Sequence, residues 1–462
     1  MLLPSLDRRR FLATFGAALA AGPILLGQDN APKVDPKEPP PPTVDTGFRP
    51  DTLFLTWQQD PTTTMTISWV GPKGEAAVRY RNRGHGDWLY ADAASIKPFP
   101  VIELPKTTPK YNHFYDPTQR EIAPPPKGPW APSGPVDHYV HRTELTELTP
   151  GTEYEFILNT HSPVFRFRTM PAKATQSFSF ISGGDCATNA HAIANNKVAA
   201  AQDPMFVLIG GDLGYDNGTS GDTALTFIQN YSKTMIDSEG RFIPLVVAVG
   251  NHEVKGSFGK TLKEATFFAP LFDGFFKDHS YNTLDFGDYL SLVILDSGHC
   301  APIKGEQTTW LNKTLADRAG RPHLIAVNHV PCYPSYRAPE GQKSVLGTGE
   351  DQRKHWVPLF EKHQVDVVLE HHDHTFKRTK PLKSGKVDEA TGIVYLGDGS
   401  WGRLRVPNKP EKRSYLQEVS TNYHISLHRL EGEQRFHLAL GETGKVLDIY
   451  RTAKKPRQQR VG

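Results

Sequence analysis

Five short apolar runs in this 462-residue chain each end in Asp, Asn or His. Ser177–Ser182 runs into Gly183-Gly184-Asp185, and Met205–Ile209 into Gly210-Gly211-Asp212-Leu213-Gly214-Tyr215. Pro244–Val249 runs into Gly250-Asn251-His252-Glu253, His323–Val327 into Asn328-His329, and Val365–Leu369 into Glu370-His371-His372-Asp373-His374. Carboxylate and amide oxygens mixed with imidazole nitrogens suit iron, manganese or zinc. His372 and His374 stand two apart, so on extended chain both side chains face the same way. Asp212 follows a Gly-Gly turn, where the backbone can approach closely, and is well placed to bridge two ions. The set therefore predicts a two-metal site.

The elements that must position these residues are legible as well. Each run is short, continuously apolar and rich in β-formers, as expected of a strand covered on both faces. Helical stretches alternate with the runs from about residue 176 onward, which predicts an α/β domain with its ligand site at the C-terminal edge of the strands. Residues 48 to about 170 read differently. Thr52–Gln58, Thr64–Val70, Ala77–Tyr80, Tyr139–Leu148, Tyr154–Leu158 and Val164–Thr169 are short, closely spaced strands that predict a β-sandwich. Residues 101–136 lack a clear period. Residues 28–47 are a Pro-rich linker. Before them, Asp7-Arg8-Arg9-Arg10-Phe11-Leu12 and a short apolar run resemble a twin-arginine export signal over residues 1–27. Export to a bacterial periplasm or medium is expected, with no membrane span in the mature chain.

Composition narrows the partners. Lys and Arg number 53 against 50 Asp and Glu, a balance of +3 that gives no field for nucleic acid. Three cysteines exclude a disulfide-dense scaffold, although one pair could bridge in an oxidising compartment.

Taken together, Asp185, Gly211-Asp212-x-x-Tyr215, Gly250-Asn251-His252-Glu253, Asn328-His329 and His372-x-His374 resemble the calcineurin-like metallophosphoesterases. Tyr215, three residues after the second Asp, narrows the resemblance to the purple acid phosphatase branch. Tyr139-Val140-His141 and Leu148-Thr149-Pro150-Gly151-Thr152-x-Tyr154 resemble the branch's N-terminal fibronectin type III-like domain, and Gly305-Glu306-Gln307-x-x-Trp310-Leu311 its helix start. The resemblance implies a sandwich over 48–172 and, over 173–462, a four-layer α/β unit of two packed sheets flanked by helices. It implies that Asp185, Tyr215 and His374 hold the first metal, that Asn251, His329 and His372 hold the second, and that Asp212 bridges them. It implies Fe(III) with divalent Fe, Zn or Mn, and a purple colour from Fe(III)–phenolate charge transfer.

The implied activity is hydrolysis of small phosphate monoesters by a water that the metals acidify. His252 would act as general acid or phosphate donor. His191, Tyr333, Arg337 and His371 are candidate substrate contacts, and Glu253 is expected to orient its loop. His371 departs from the family's usual Gly, and the plant enzymes' additional substrate histidines have no match after His329. A phosphodiesterase or nucleotide pyrophosphatase on the same metals is the first alternative. An inactive surface-binding protein is the second, and all seven ligand positions being filled speaks against it.

Overall fold

The computed structural model describes residues 50–74, 77–105, 130–159, 162–174, 177–341 and 347–453. The expected signal, the Pro-rich linker, residues 106–129 of the long aperiodic stretch and the basic tail lie outside the described residues.

Residues 54 to 168 form two four-stranded antiparallel sheets, as the strand spacing predicts. One runs Phe54–Thr56, Met65–Pro72, His138–Leu145, Ser95–Pro98, and the other Phe165–Arg168, Glu153–Leu158, Val78–Asn82, Leu89–Tyr90. Strand Met65–Pro72 is buried at every position up to Gly71. Met65, Ile67 and Trp69 are buried from one sheet. Tyr154 stacks on Phe167 and Phe156 lies against Phe165 within the other, both at 5.2 Å. Tyr154 Oη accepts from Thr149 N–H at 2.8 Å and closes the turn at Pro150-Gly151, where Gly151 takes φ +65°. None of the seven candidate ligands lies here. The sandwich abuts the rest of the chain through Trp57, edge-on to Phe206 and Phe286, and through buried Arg142, which donates to the carbonyls of Pro270 (3.1 Å) and Leu271 (3.0 Å).

Two larger sheets follow. The first has six strands in the order Leu245–Val247, Val207–Ile209, Phe178–Gly183, His424–Glu431, Gln434–Gly441, Val446–Ala453, of which the first three are parallel. The second has seven, in the order Asn282–Phe286, Leu290–Leu295, His323–Asn328, Val367–Glu370, Val394–Asp398, Phe376–Thr379, Leu416–Ser420. Four of these, from Leu290–Leu295 to Val394–Asp398, are parallel. Phe206 on Phe286 (5.0 Å) and Phe178 on Tyr289 (5.6 Å) pack one sheet on the other, and Phe180 stacks on Phe206 (4.8 Å) within the first. On the far side of the second sheet, Leu311 and Leu315 of helix Glu306–Arg318 and Phe360 of helix Val357–Lys362 meet Val293, Leu295 and Val368. Helix Ala190–Ala200 packs on strand His424–Glu431 of the first sheet and on helix Gly221–Thr234. The layers are helix, sheet, sheet, helix, as expected. Strands covered on both faces favour apolar residues at most positions, which is why Val207–Ile209, Leu245–Val247 and Leu290–Leu295 read as near-continuous runs. No helix among the described residues is long and apolar enough to cross a membrane.

Candidate metal centre

The parallel strands end level. Gly183 pairs with Ile209 and Ile209 with Val247 in the first sheet; Leu295 pairs with Asn328 and Asn328 with Glu370 in the second. The turns just beyond carry all seven donors. Five of them hold left-handed backbone: Asp185 (φ +57°), Asp212 (+56°), Tyr215 (+66°), His372 (+70°) and His374 (+58°). That region is sparsely used by non-glycine residues, and a phenol there is the least expected. Hydrogen bonds hold the turns: Asp185 N–H donates to Gly211 C=O at 3.1 Å, and His372 N–H to Asp185 Oδ2 at 2.8 Å. Gly211 supplies close approach, since a Cβ there would lie 2.9 Å from Gly250 N.

The donors fall into two groups. Asp185 Oδ1 lies 3.2 Å from Tyr215 Oη and 2.9 Å from His374 Nε2, and Tyr215 Oη is 3.1 Å from His374 Nε2. In the other group, His329 Nε2 lies 3.2 Å from Asn251 Oδ1 and 3.1 Å from His372 Nδ1. Asp212 joins them. Donor atoms of Asp185, Asp212, His329 and His372 all lie within 4.8 Å of one another. Asp212 Oδ1 accepts from His252 N–H at 2.8 Å, whereas its Oδ2 is buried without a hydrogen-bond partner, 3.3 Å from His329 Nε2. A buried carboxylate oxygen is costly to leave unsatisfied. A pair of cations between the two groups would satisfy it, and the donor chemistry fits such a pair.

The charges support this fit. Burial holds His372 well below the ordinary imidazole range, with Arg337 acting in the same sense, and burial lowers His374 too. Both rings are thus neutral lone-pair donors. Burial also opposes charge on His329, but Asp212, Asp185 and Glu253 outweigh it and push the ring up to about 9, so in the metal-free protein His329 is the counter-charge. Its Nδ1 donates to Gly210 C=O at 2.9 Å, which aims Nε2 at the cluster. Burial, Asp185 and Asp212 push the Tyr215 phenol well above 10, and the Arg403 guanidinium 4.4 Å over its ring opposes them.

Glu253 organises the floor. Its Oε2 accepts from Asp212 N–H (2.8 Å) and Gly250 N–H (2.7 Å), and its Oε1 from Leu213 N–H (2.7 Å). Burial and Asp212 push the carboxyl up to about 8, yet both oxygens face N–H donors, which only the carboxylate satisfies. Glu253→Gln turns one oxygen into an N–H donor facing another donor. The expected result is a loss of about 10- to 100-fold in metal affinity or kcat with the fold intact. Chelator competition and circular dichroism together check it; wild-type metal affinity and turnover would overturn the positioning role.

Comparison with known proteins narrows the family. Residues 50–169 match the family described as Purple acid Phosphatase, N-terminal domain, and residues 181–376 match Calcineurin-like phosphoesterase. The chain belongs to the calcineurin-like metallophosphoesterases, in their purple acid phosphatase branch. It is 26% identical to purple acid phosphatase 21 of Arabidopsis thaliana over 59% of this chain and 62% of that protein. It is also 26% identical to acid phosphatase type 7 of Danio rerio over 67% and 76%. The chain thus spans about six tenths of the length of the Arabidopsis relatives it matches. In fold it is similar to a purple acid phosphatase from yellow lupin seeds (TM-score 0.67, 16% identity, 89% of this chain and 77% of that one) and to PhoD (TM-score 0.56, 12% identity, 89% and 93%). The donor cluster is accordingly a candidate binuclear metal site of a metallophosphoesterase.

Residues outside the seven donors divide sharply. His252 is at the centre: its ring lies 4.1 Å from that of Tyr215, its Nε2 is 3.9 Å from Asp212 Oδ2, and its Nδ1 bonds Asn217 Oδ1. Arg337 is beside the site but occupied, donating to His372 C=O and, at 2.8 Å, to Asp373 Oδ1. His191 is further out, paired with Glu442 at 2.7 Å and stacked on Tyr423 at 3.8 Å. Two expected substrate contacts require correction. Tyr333 is buried among Trp356, Phe360 and Tyr395 in the core, so its phenol cannot meet substrate. His371 is buried beneath the site, packed so closely on the backbone that a Cβ on Gly210 would lie 1.9 Å from its ring.

Sequence reasoning missed Arg403 and Arg405, which follow strand Val394–Asp398. The signal was present, because Ile393-Val394-Tyr395-Leu396 is a sixth apolar run ending in Gly397-Asp398-Gly399.

Proposed function

We propose that this chain is an exported, metal-dependent phosphatase that hydrolyses phosphate monoesters at a binuclear centre. The observation that carries the reading is Asp212, whose buried Oδ2 makes no hydrogen bond, faces His329 Nε2 at 3.3 Å and lies between two groups of three donors. Asp185, Tyr215 and His374 would hold one ion, Asn251, His329 and His372 the other, and Asp212 both. When bound, two such ions would supply positive charge for phosphoryl oxygens and would lower the pKa of water. Tyr215 favours ferric iron at the first position: a phenol held well above its ordinary pKa yields phenolate only to a strong Lewis acid.

The chain's own groups supply the remainder. Asn217 Nδ2 donates to Tyr215 C=O at 3.2 Å, which turns its amide oxygen toward His252 Nδ1. His252 Nδ1 therefore carries a proton, and Nε2 is the atom that faces the reaction. As imidazolium, His252 can pass the Nε2 proton to the departing alkoxide. Glu253 and the left-handed turns keep the donors fixed, so little reorganisation accompanies the reaction. Export rests on the Arg8-Arg9-Arg10-Phe11-Leu12 segment.

The test loads the protein with iron and a divalent metal. Phosphate release from 4-nitrophenyl phosphate is expected to exceed hydrolysis of bis(4-nitrophenyl) phosphate, and a visible absorption band is expected that Tyr215→Phe removes. Preference for the diester would overturn the monoester assignment. A colourless, iron-free and fully active protein would overturn the iron assignment.

A further inference from the structure

The segment from Gly399 to Arg405 passes over the candidate site and is pinned to it by backbone. Trp401 N–H donates to Gly184 C=O (3.2 Å), Gly402 N–H to Asp185 C=O (3.0 Å) and Arg405 N–H to His374 C=O (2.7 Å). Gly402 is required there, since a Cβ would lie 1.7 Å from Cys186 O. Two of the three acceptors thus belong to first-metal candidates, Asp185 and His374. The segment delivers Arg403 and Arg405 to that side of the site. The Arg403 guanidinium lies over the Tyr215 ring at 4.4 Å, and that of Arg405 lies over the half-exposed Tyr336 ring at 5.0 Å.

Among the described residues neither guanidinium is held by a salt bridge. Other enclosed arginines meet carboxylates: Arg241 pairs with Asp237, Arg378 with Asp448, Arg435 with Asp366, and Arg337 with Asp373. Among the described residues neither Arg403 nor Arg405 has such a partner, and Arg403 Nε is buried with no hydrogen bond. Burial and the nearby Arg337 disfavour charge on Arg405 more than the Asp185 carboxylate favours it. A half-buried cation without an anionic partner gains from an anion that joins it. A guanidinium matches the oxygens of a phosphoryl group in fork geometry.

We propose that Arg403 and Arg405 form a second anion subsite that holds a further phosphoryl group of the substrate. This deepens the phosphatase reading and rests on it. The favoured substrates are then phosphoanhydrides and esters with a second phosphoryl group on the leaving side. Tyr215 spans the two subsites, with its oxygen among the metal donors and its ring under Arg403. For pyrophosphate, one water forms a P–O bond to the attacked phosphorus and releases a proton. The bridging P–O bond breaks, and its electron pair leaves with the second orthophosphate.

The experiment compares kcat/KM for pyrophosphate and for 4-nitrophenyl phosphate in the metal-loaded full chain and in Arg403→Gln, Arg405→Gln and the double variant. The ratio of pyrophosphate to monoester is expected to fall about tenfold or more in the double variant, chiefly through KM. Arg403→Lys, which retains the charge, should restore part of it. Raising the salt concentration should depress the pyrophosphate reaction more than the monoester reaction. A chain active on 4-nitrophenyl phosphate whose ratio does not move overturns the subsite alone. A metal-loaded chain active on neither compound overturns the phosphatase reading, and the subsite with it.

Discussion

Asp212→Asn is expected to lower kcat on the order of 10³-fold and to empty the site of metal. The substitution keeps the shape of the side chain and the acceptor for His252 N–H, which Asp212 Oδ1 now meets at 2.8 Å. It replaces Oδ2, which makes no hydrogen bond, by an NH₂ group that has no lone pair to offer and faces His329 Nε2, 3.3 Å away in the wild type. The two donor groups then lose their shared member together with one negative charge. Elemental analysis should find metal in wild type and little in the variant. Added metal should raise the thermal midpoint of the wild type and not that of the variant, because only a ligand that binds the folded state stabilises it. Chelation should bring wild-type activity down to the variant's level. A variant that keeps both ions and its turnover would remove Asp212 from the bridging position. Activity unchanged by chelation would remove metal from the reaction altogether.

How much of this was legible in the sequence depended on which faces of each element are covered. The strands before Asp185, Asp212, Asn251, His329 and His372 were visible because burial on both faces demands unbroken apolar runs. Their common edge then follows from parallel register. The outer half of the six-stranded sheet was not visible. His424–Glu431 reads His-Ile-Ser-Leu-His-Arg-Leu-Glu, a polar pattern, yet it is almost wholly buried. His428 accounts for this by stacking on Phe180 at 4.8 Å and bonding Ser182 Oγ at 2.6 Å. Satisfied buried histidines look like surface in a hydropathy pattern. The error at His371 has the opposite character. The strand ends at Glu370 and the chain turns through left-handed backbone at His372 and His374, which leaves His371 packed on the backbone of Gly184 and Gly210. Tyr333 lies only four residues after His329, yet the chain carries it into the core among Trp356, Phe360 and Tyr395. Arg403 and Arg405 were missed for a physical reason too. A polar loop with two cations resembles solvated surface until its backbone is seen hydrogen-bonded to Asp185 and His374.

His252 is expected to separate good leaving groups from poor ones. With an alkyl phosphate the leaving oxygen departs as a strongly basic alkoxide and needs a proton in the transition state. With 4-nitrophenyl phosphate the phenolate leaves unaided. His252→Gln keeps a hydrogen-bond donor at this position but removes the transferable proton that Nε2 carries in the imidazolium. Its kcat on an alkyl phosphate should therefore fall about 10²-fold or more, and its kcat on 4-nitrophenyl phosphate only a few-fold. The neighbourhood explains why the proton is aimed and not merely present. Asn217 fixes Nδ1, the Tyr215 ring lies against the imidazole at 4.1 Å, and the side chain retains 24% exposure, enough to meet a substrate from the open side. Burial lowers the ring's affinity for a proton and Asp212 offsets this only in part, so the imidazolium forms under acidic conditions and gives its proton up readily. Equal losses with both substrates would assign His252 to holding the phosphoryl oxygens. Such a role strengthens binding of every substrate alike and would appear in KM. A loss confined to poor leaving groups, with KM unchanged, assigns the proton transfer to His252.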